Sequence, residues 1–207
     1  MAVVVPYRVA DPKSRLSPAL EADERETFAR LMLADVLDAV AATGREPTVL
    51  ATEPVDLAVP VQVDDRPLTE AVNGVLPAGD GDEDGEPVAV VMADLVLATP
   101  EAVERLLGTD GDVVLAPGRG GGTNALVARD PAFRVDYHGA SVRDHRRICQ
   151  EAGLAVEEVD SYRLGTDVDE PADLVEVLLH ADGRAADWLA ERFELDADGG
   201  RAGLGRV

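Results

Sequence analysis

The chain has one cysteine, Cys149, and one lysine, Lys13, among its 207 residues. A lone thiol excludes an intrachain disulfide and leaves a cysteine-built metal site without partners, so Cys149 reads as half-buried helix packing. No apolar run approaches the ~20 residues of a membrane span. The N-terminal run Met1-Ala2-Val3-Val4-Val5-Pro6 lacks the basic flank and cleavage-like site of a leader and reads as a first strand. Cations are scarce, with 19 Lys and Arg against 41 Asp and Glu, for a formal net charge of −22. Such a surface repels nucleic acid and anionic lipid, so neither is an expected partner. Self-repulsion of this size is tolerated where salt screens it, since the Debye length falls to about 3 Å at 1 M. The charge therefore points to a salt-accumulating cytoplasm and reports habitat more than chemistry.

What is present is an apolar fraction of 46%, enough for one domain with a substantial core. β-branched runs alternate with amphipathic stretches, the pattern of an α/β fold. Strands are predicted at 2–6, 48–51, 59–63, 88–92, 112–116 and 154–159. Residues 124–129 and 133–137 extend the sheet as an antiparallel pair. Helices are predicted at 21–43, 68–76, 171–179 and 185–193. Thr99-Pro100-Glu101 starts a further helix with a capping hydroxyl, a first-turn proline and an acid. Ser141 caps a helix to Ala152, which Gly153 closes. The acidic, glycine-rich stretch 79–86 lacks the spacing of a calcium loop and reads as solvated surface. A single domain spans 1–195, and a polar tail over 196–207 is expected to fray.

Four regions could carry chemistry. The loop after the first strand holds Lys13 and Arg15, and a compact ammonium beside a forked guanidinium suits polyphosphate oxygens. In open α/β sheets ligands gather at the carboxyl ends of strands, which is where this loop lies. Asp94 ends a strand too apolar to be exposed, either as a cap or as a metal ligand. Asp167 and Asp169 lie on one side of an extended segment by alternation, so three carboxylates could hold a hard divalent ion. The turn Pro117 to Gly122 could aim backbone amides at an anion, with the Thr123 hydroxyl as a further donor. It matches neither the P-loop nor the dinucleotide fingerprint. Ser141 at a helix start offers an amide and a hydroxyl. A Ser-His-Asp triad with His145 lacks a nucleophile elbow, and His138 with His145 lacks partners for zinc.

Taken in order, Pro12-Lys13-Ser14-Arg15-Leu16-Ser17-Pro18, Met92-Ala93-Asp94-Leu95, Gly121-Gly122-Thr123-Asn124-Ala125-Leu126, Tyr137-His138-Gly139-Ala140-Ser141 with His145, and Leu164-Gly165-Thr166-Asp167-Val168-Asp169 resemble the 2-phospho-L-lactate guanylyltransferases. The likeness covers nearly the whole chain, and with the acidic surface it implies a haloarchaeal member. It implies a three-layer α/β/α fold with a mixed, mostly parallel sheet, like the nucleotide-diphospho-sugar transferases. It also implies a cytoplasmic homodimer, dependence on Mg2+, and transfer from GTP to 2-phospho-L-lactate in coenzyme F-420 biosynthesis. On that likeness Asp94, Asp167 and Asp169 match the metal carboxylates, and Lys13 and Arg15 the basic pair of the nucleotide loop. Thr123 and Ser141 match acceptor contacts, with His138 or Gly139 supplying an amide. Phosphoenolpyruvate or 3-phosphoglycerate as acceptor, and a non-catalytic nucleotide-binding module on the same fold, stay open as alternatives. The chain departs from wider nucleotidyltransferases in lacking a Gly-Gly turn after the first strand.

Overall fold

A computed structural model describes residues 1–78, 85–196 and 202–207. Seven strands form one sheet: β1 (Ala2–Tyr7), β2 (Pro47–Ala51), β3 (Val61–Val63), β4 (Val88–Val91), β5 (Val113–Pro117), β6 (Thr123–Ala128) and β7 (Val156–Glu158). Their order is β3-β2-β1-β4-β6-β5-β7. Pairing is parallel except where β6 runs antiparallel between β4 and β5.

Side chains alternate across these strands, and both faces are apolar, as a sheet covered on both sides requires. Val3, Val5, Val49, Ala89, Val91 and Val127 pack on one face against α1 (Ala22–Ala41), α3 (Pro100–Gly108), α6 (Asp173–His180) and α7 (Arg184–Ala190). Val4, Leu50, Val88, Val90, Leu115 and Leu126 face α2 (Leu68–Asn73) and α4 (Ser141–Ala152). The result is the three-layer α/β/α arrangement with a mixed, mostly parallel sheet. Local chemistry sets the helix starts. Glu21 and Glu24 form a reciprocal capping box on α1, and the Thr99 hydroxyl accepts from Ala102 N at the head of α3.

Three expectations are corrected. Residues 133–137 are not a strand. The amides of the last three bond side chains instead of a neighbouring strand: Val135 N to Asn73 Oδ1 (2.8 Å), Asp136 N to His145 Nε2 (2.9 Å) and Tyr137 N to Thr69 Oγ1 (3.0 Å). Ser141 is not a cap but the first helical residue of α4, following Ala140, and its hydroxyl lies on Thr123. Residues 197–201 lie outside the described residues. The described residues of the C-terminal tail pair rather than fray, because β8 (Phe193–Asp196) and β9 (Gly203–Arg206) form an antiparallel ribbon. Arg206 anchors it, donating to the Glu24 carboxylate (2.7 and 3.0 Å) and lying 5.4 Å over the Phe193 ring. Most of the acidic stretch 79–86 lies outside the described residues; Glu86 pairs with the N-terminal amine.

Candidate active site

The parallel strands β1 and β4 end at the same edge of the sheet. Because β6 is antiparallel, its beginning, Thr123-Asn124, comes to that edge too. A cleft of about 1380 Å³ opens there, lined by Tyr7, Arg8, Lys13, Arg15, Asp94 and Asp169 among others. A smaller depression of about 380 Å³, touching Arg15, Arg119, Thr166, Asp167 and Asp169, adjoins it.

The loop leaving β1 is strained. Asp11 (φ 43°) and Lys13 (φ 54°) are the described non-glycine residues with left-handed backbone, a conformation that costs each roughly 1–2 kcal/mol. That geometry sends the Lys13 ammonium inward between two carboxylates. It donates to Asp94 Oδ2, and to Asp169 Oδ1 at 2.7 Å. Burial alone would lower the Lys13 pKa, but the Asp94 and Asp169 charges together outweigh it and hold the ammonium above its ordinary range. Arg15 stays 71% exposed, 3.6 Å from Asp169 Oδ2, free to turn toward a ligand.

Asp167 and Asp169 follow a short helix, α5 (Tyr162–Gly165). Val168 between them is fully buried, and its amide reaches the Asp94 carbonyl (3.3 Å), so the two acidic segments are tied by backbone. The flanking carboxylates take different partners: Asp169 takes Lys13, and Asp167 accepts from Asn124 Nδ2 (3.1 Å). Burial, and after it the Asp94 charge, raises the Asp167 pKa, while the Asn124 bond opposes the rise. Asp94 Oδ1 is buried and has no hydrogen-bond partner among the described residues. As the side chains stand, no group of three His, Cys, Asp or Glu among those residues closes on one ion.

Asn124, within the Gly-Gly-Thr-Asn-Ala-Leu run, has a role that only the structure shows. Its Nδ2 also donates to Leu164 O (3.0 Å), locking the Asp167 segment to β6. A Cβ on Gly118 would come within 2.3 Å of Asn124 Oδ1, so only glycine lets this amide take its place. Gly118→Ala is therefore expected to cost about 1–3 kcal/mol of stability by displacing Asn124. Turnover should fall with it, and urea unfolding beside a turnover assay would show both losses.

The glycine turn is less of an anion cradle than its composition suggests. Gly118 N bonds Gly122 O (2.9 Å), Gly121 N bonds Gly118 O (2.9 Å) and Arg119 N bonds Gly165 O (2.9 Å). Two of its amides thus close the turn itself, and the third ties it to the end of α5. Gly121 O accepts from Val142 N (3.2 Å), which ties the turn to α4 and brings Thr123 beside Ser141. Both hydroxyls are buried, with 3.4 Å between the oxygens, a contact too long to hold either firmly. His138 is exposed and bonded to Asp136, which raises its pKa, and Gly139 is left-handed at φ 48°. His145 sits behind Thr123, with both ring nitrogens engaged by Thr123 Oγ1 and Asp136 N. No triad with Ser141 forms. Arg119, 3.7 Å from Glu176, is a cation the sequence reading passed over; its signal was a charge inside a glycine turn of so acidic a chain.

Residues 1–204 match the family described as CofC-like guanylyl transferase. A 2-phospho-L-lactate guanylyltransferase from Halomicrobium mukohataei is 69% identical over 189 residues, 91% of each chain. One from Haloarcula marismortui is 58% identical over 207 residues, spanning 100% of this chain and 99% of that protein. Among solved structures, a candidate nucleotide-diphospho-sugar transferase from Desulfovibrio desulfuricans G20 superposes with a TM-score of 0.71 at 16% identity, covering 92% of this chain and 95% of that one. That likeness shows the fold. With its match running almost end to end and both relatives covered over nearly their full length, the chain belongs to the CofC-like guanylyl transferase family.

Proposed function

We propose that the protein joins GTP to 2-phospho-L-lactate, giving lactyl-2-diphospho-5′-guanosine and pyrophosphate, in coenzyme F-420 biosynthesis. The observation that carries nucleotidyl transfer is the edge cluster, where Lys13, Arg15 and three carboxylates gather beside Asn124 at the start of β6, with the buried Thr123 and Ser141 hydroxyls paired at the neighbouring position. Phospholactate as the acceptor is supported by the names of the haloarchaeal relatives.

An acceptor phosphate oxygen attacks the α-phosphorus of GTP, and the bond to the pyrophosphate oxygen breaks. A phosphate with a second pKa near 6 is already ionised at neutral pH, so no general base is needed. That agrees with His145 having both nitrogens occupied and His138 being tied to Asp136. The remaining difficulty is the approach of two polyanions, which positioning and charge neutralisation must overcome. Thr123 and Ser141 donate to the acceptor phosphate, with the backbone at His138 or Gly139 beside it. Lys13 and Arg15 steady the departing pyrophosphate. Mg2+ suits the site, because Asp94 keeps a buried, unpaired carboxylate oxygen and Asp167 has burial and a neighbouring charge raising its pKa. Asp94, Asp167 and Asp169 would hold the ion, and when bound it supplies charge neutralisation on the phosphates. A cytoplasmic homodimer completes this reading; among the described residues no helix is long and apolar enough to cross a membrane.

The test is pyrophosphate release in magnesium and high salt, with GTP and each of phospholactate, phosphoenolpyruvate and 3-phosphoglycerate. Preference for phospholactate is expected. Release with only one of the other two would replace the acceptor, and no release with any would leave a nucleotide-binding module. Ser141→Ala is expected to raise the acceptor KM roughly tenfold with the GTP KM unchanged, as loss of one hydrogen bond to an anion would. A change in GTP affinity alone would put Ser141 in the wrong subsite.

A further inference from the structure

His145 is fully buried, yet the transfer reaction described above makes no use of it. Its surroundings leave its tautomer no freedom. The Asp136 amide donates to Nε2 at 2.9 Å, so Nε2 carries the lone pair. In a neutral ring the proton then sits on Nδ1, which donates to Thr123 Oγ1 at 2.8 Å. Burial pushes the ring pKa down to about 4, so it stays neutral at ordinary assay pH. The ring also makes edge-to-face contacts with Phe133 and Tyr137, at centroid distances of 5.8 and 5.3 Å, which support it in this orientation.

The consequence falls on Thr123. A hydroxyl that accepts from Nδ1–H cannot return its own proton to that nitrogen. Ser141 does not take it either, because its Oγ is the donor in a long contact to Thr123 Oγ1 (3.4 Å). We propose that His145 is a positioning residue that makes the Thr123 hydroxyl an obligate hydrogen-bond donor toward the acceptor phosphate. Without this bond the hydroxyl could rotate and present a lone pair to the anion, which repels it. The device also favours a phosphorylated acceptor over one lacking such an anion. It rests on Thr123 belonging to the acceptor subsite.

Two substitutions separate orientation from packing. Asparagine at 145 places an amide donor near the Nδ1 position and keeps the bond to Thr123. Glutamine reaches the Nε2 position and keeps only the bond from Asp136. His145→Gln is expected to raise the phospholactate KM about tenfold with the GTP KM unchanged, while H145N stays within about twofold of the parent. In a Thr123→Val background H145Q should add nothing further, since the hydroxyl it orients is gone. Equal effects of H145Q and H145N on both substrates, or additivity with T123V, would overturn the proposal. If T123V itself leaves the acceptor KM unchanged, the acceptor reading fails instead. Nitrogen-15 NMR of the unaltered protein gives a check that no variant can spoil: His145 should show a protonated Nδ1 and a bare Nε2. The opposite tautomer would overturn the orientation outright.

Discussion

Asp94→Asn is expected to lower kcat by about a thousandfold with little change in thermal stability. The magnitude follows from losing several kcal/mol of charge stabilisation in the transition state, at 1.36 kcal/mol per factor of ten. Asp94 presents Oδ2 to Lys13 and holds Oδ1 buried without a partner. An amide of the same shape can still accept through its oxygen, so the fold has little reason to suffer. What disappears is the negative charge that both a cation and the Lys13 ammonium need. Asp167→Asn should behave alike, because its carboxylate is already engaged by Asn124 and an amide can preserve that contact by its oxygen. Pyrophosphate release under saturating substrates, with circular dichroism melting in the same salt, decides the matter. Near-normal turnover in either variant would remove these carboxylates from the chemistry.

Lys13→Ala should have the second largest effect, and on two readouts. The ammonium is the shared partner of Asp94 and Asp169, and its side chain is only 14% exposed. Its loss leaves two carboxylates facing each other, which we expect to cost about 2–3 kcal/mol, at or below the usual range for breaking a buried pair. Turnover should fall at least about a hundredfold as the departing pyrophosphate loses its counter-charge. Lys13→Gly separates backbone from side chain, because glycine takes φ 54° without strain and should be about 1 kcal/mol more stable than the alanine variant. Urea unfolding in high salt measures the stabilities, and pyrophosphate release the activity. An alanine variant as active as the parent would show that the cation serves the fold alone.

Apolar periodicity located β1, β2, β4 and α1 to within two residues, since burial on both sheet faces leaves a local signature. Thr99 was legible as a cap because capping is a bond between residues three apart. Residues 133–137 misled because alternation reports burial, and Phe133 and Val135 are indeed buried, but under side chains and not in a ladder. The C-terminal ribbon was invisible because its anchor, Arg206 to Glu24, joins the two ends of the chain.

The sequence by itself determined the acidic surface, the α/β alternation, the family, and the kinds of residue available for phosphate chemistry. Only the tertiary structure decided who meets whom. Lys13 closes on partners 81 and 156 positions away, and Asn124 on one 43 away. These meetings depend on strand order, and above all on β6 entering the sheet antiparallel, which brings its first residues to the edge where β1 and β4 end. Strand order is set by hydrogen bonds between distant segments, and no local spacing records it. The single lysine was plain to see in the sequence; that it stands between two aspartates was not.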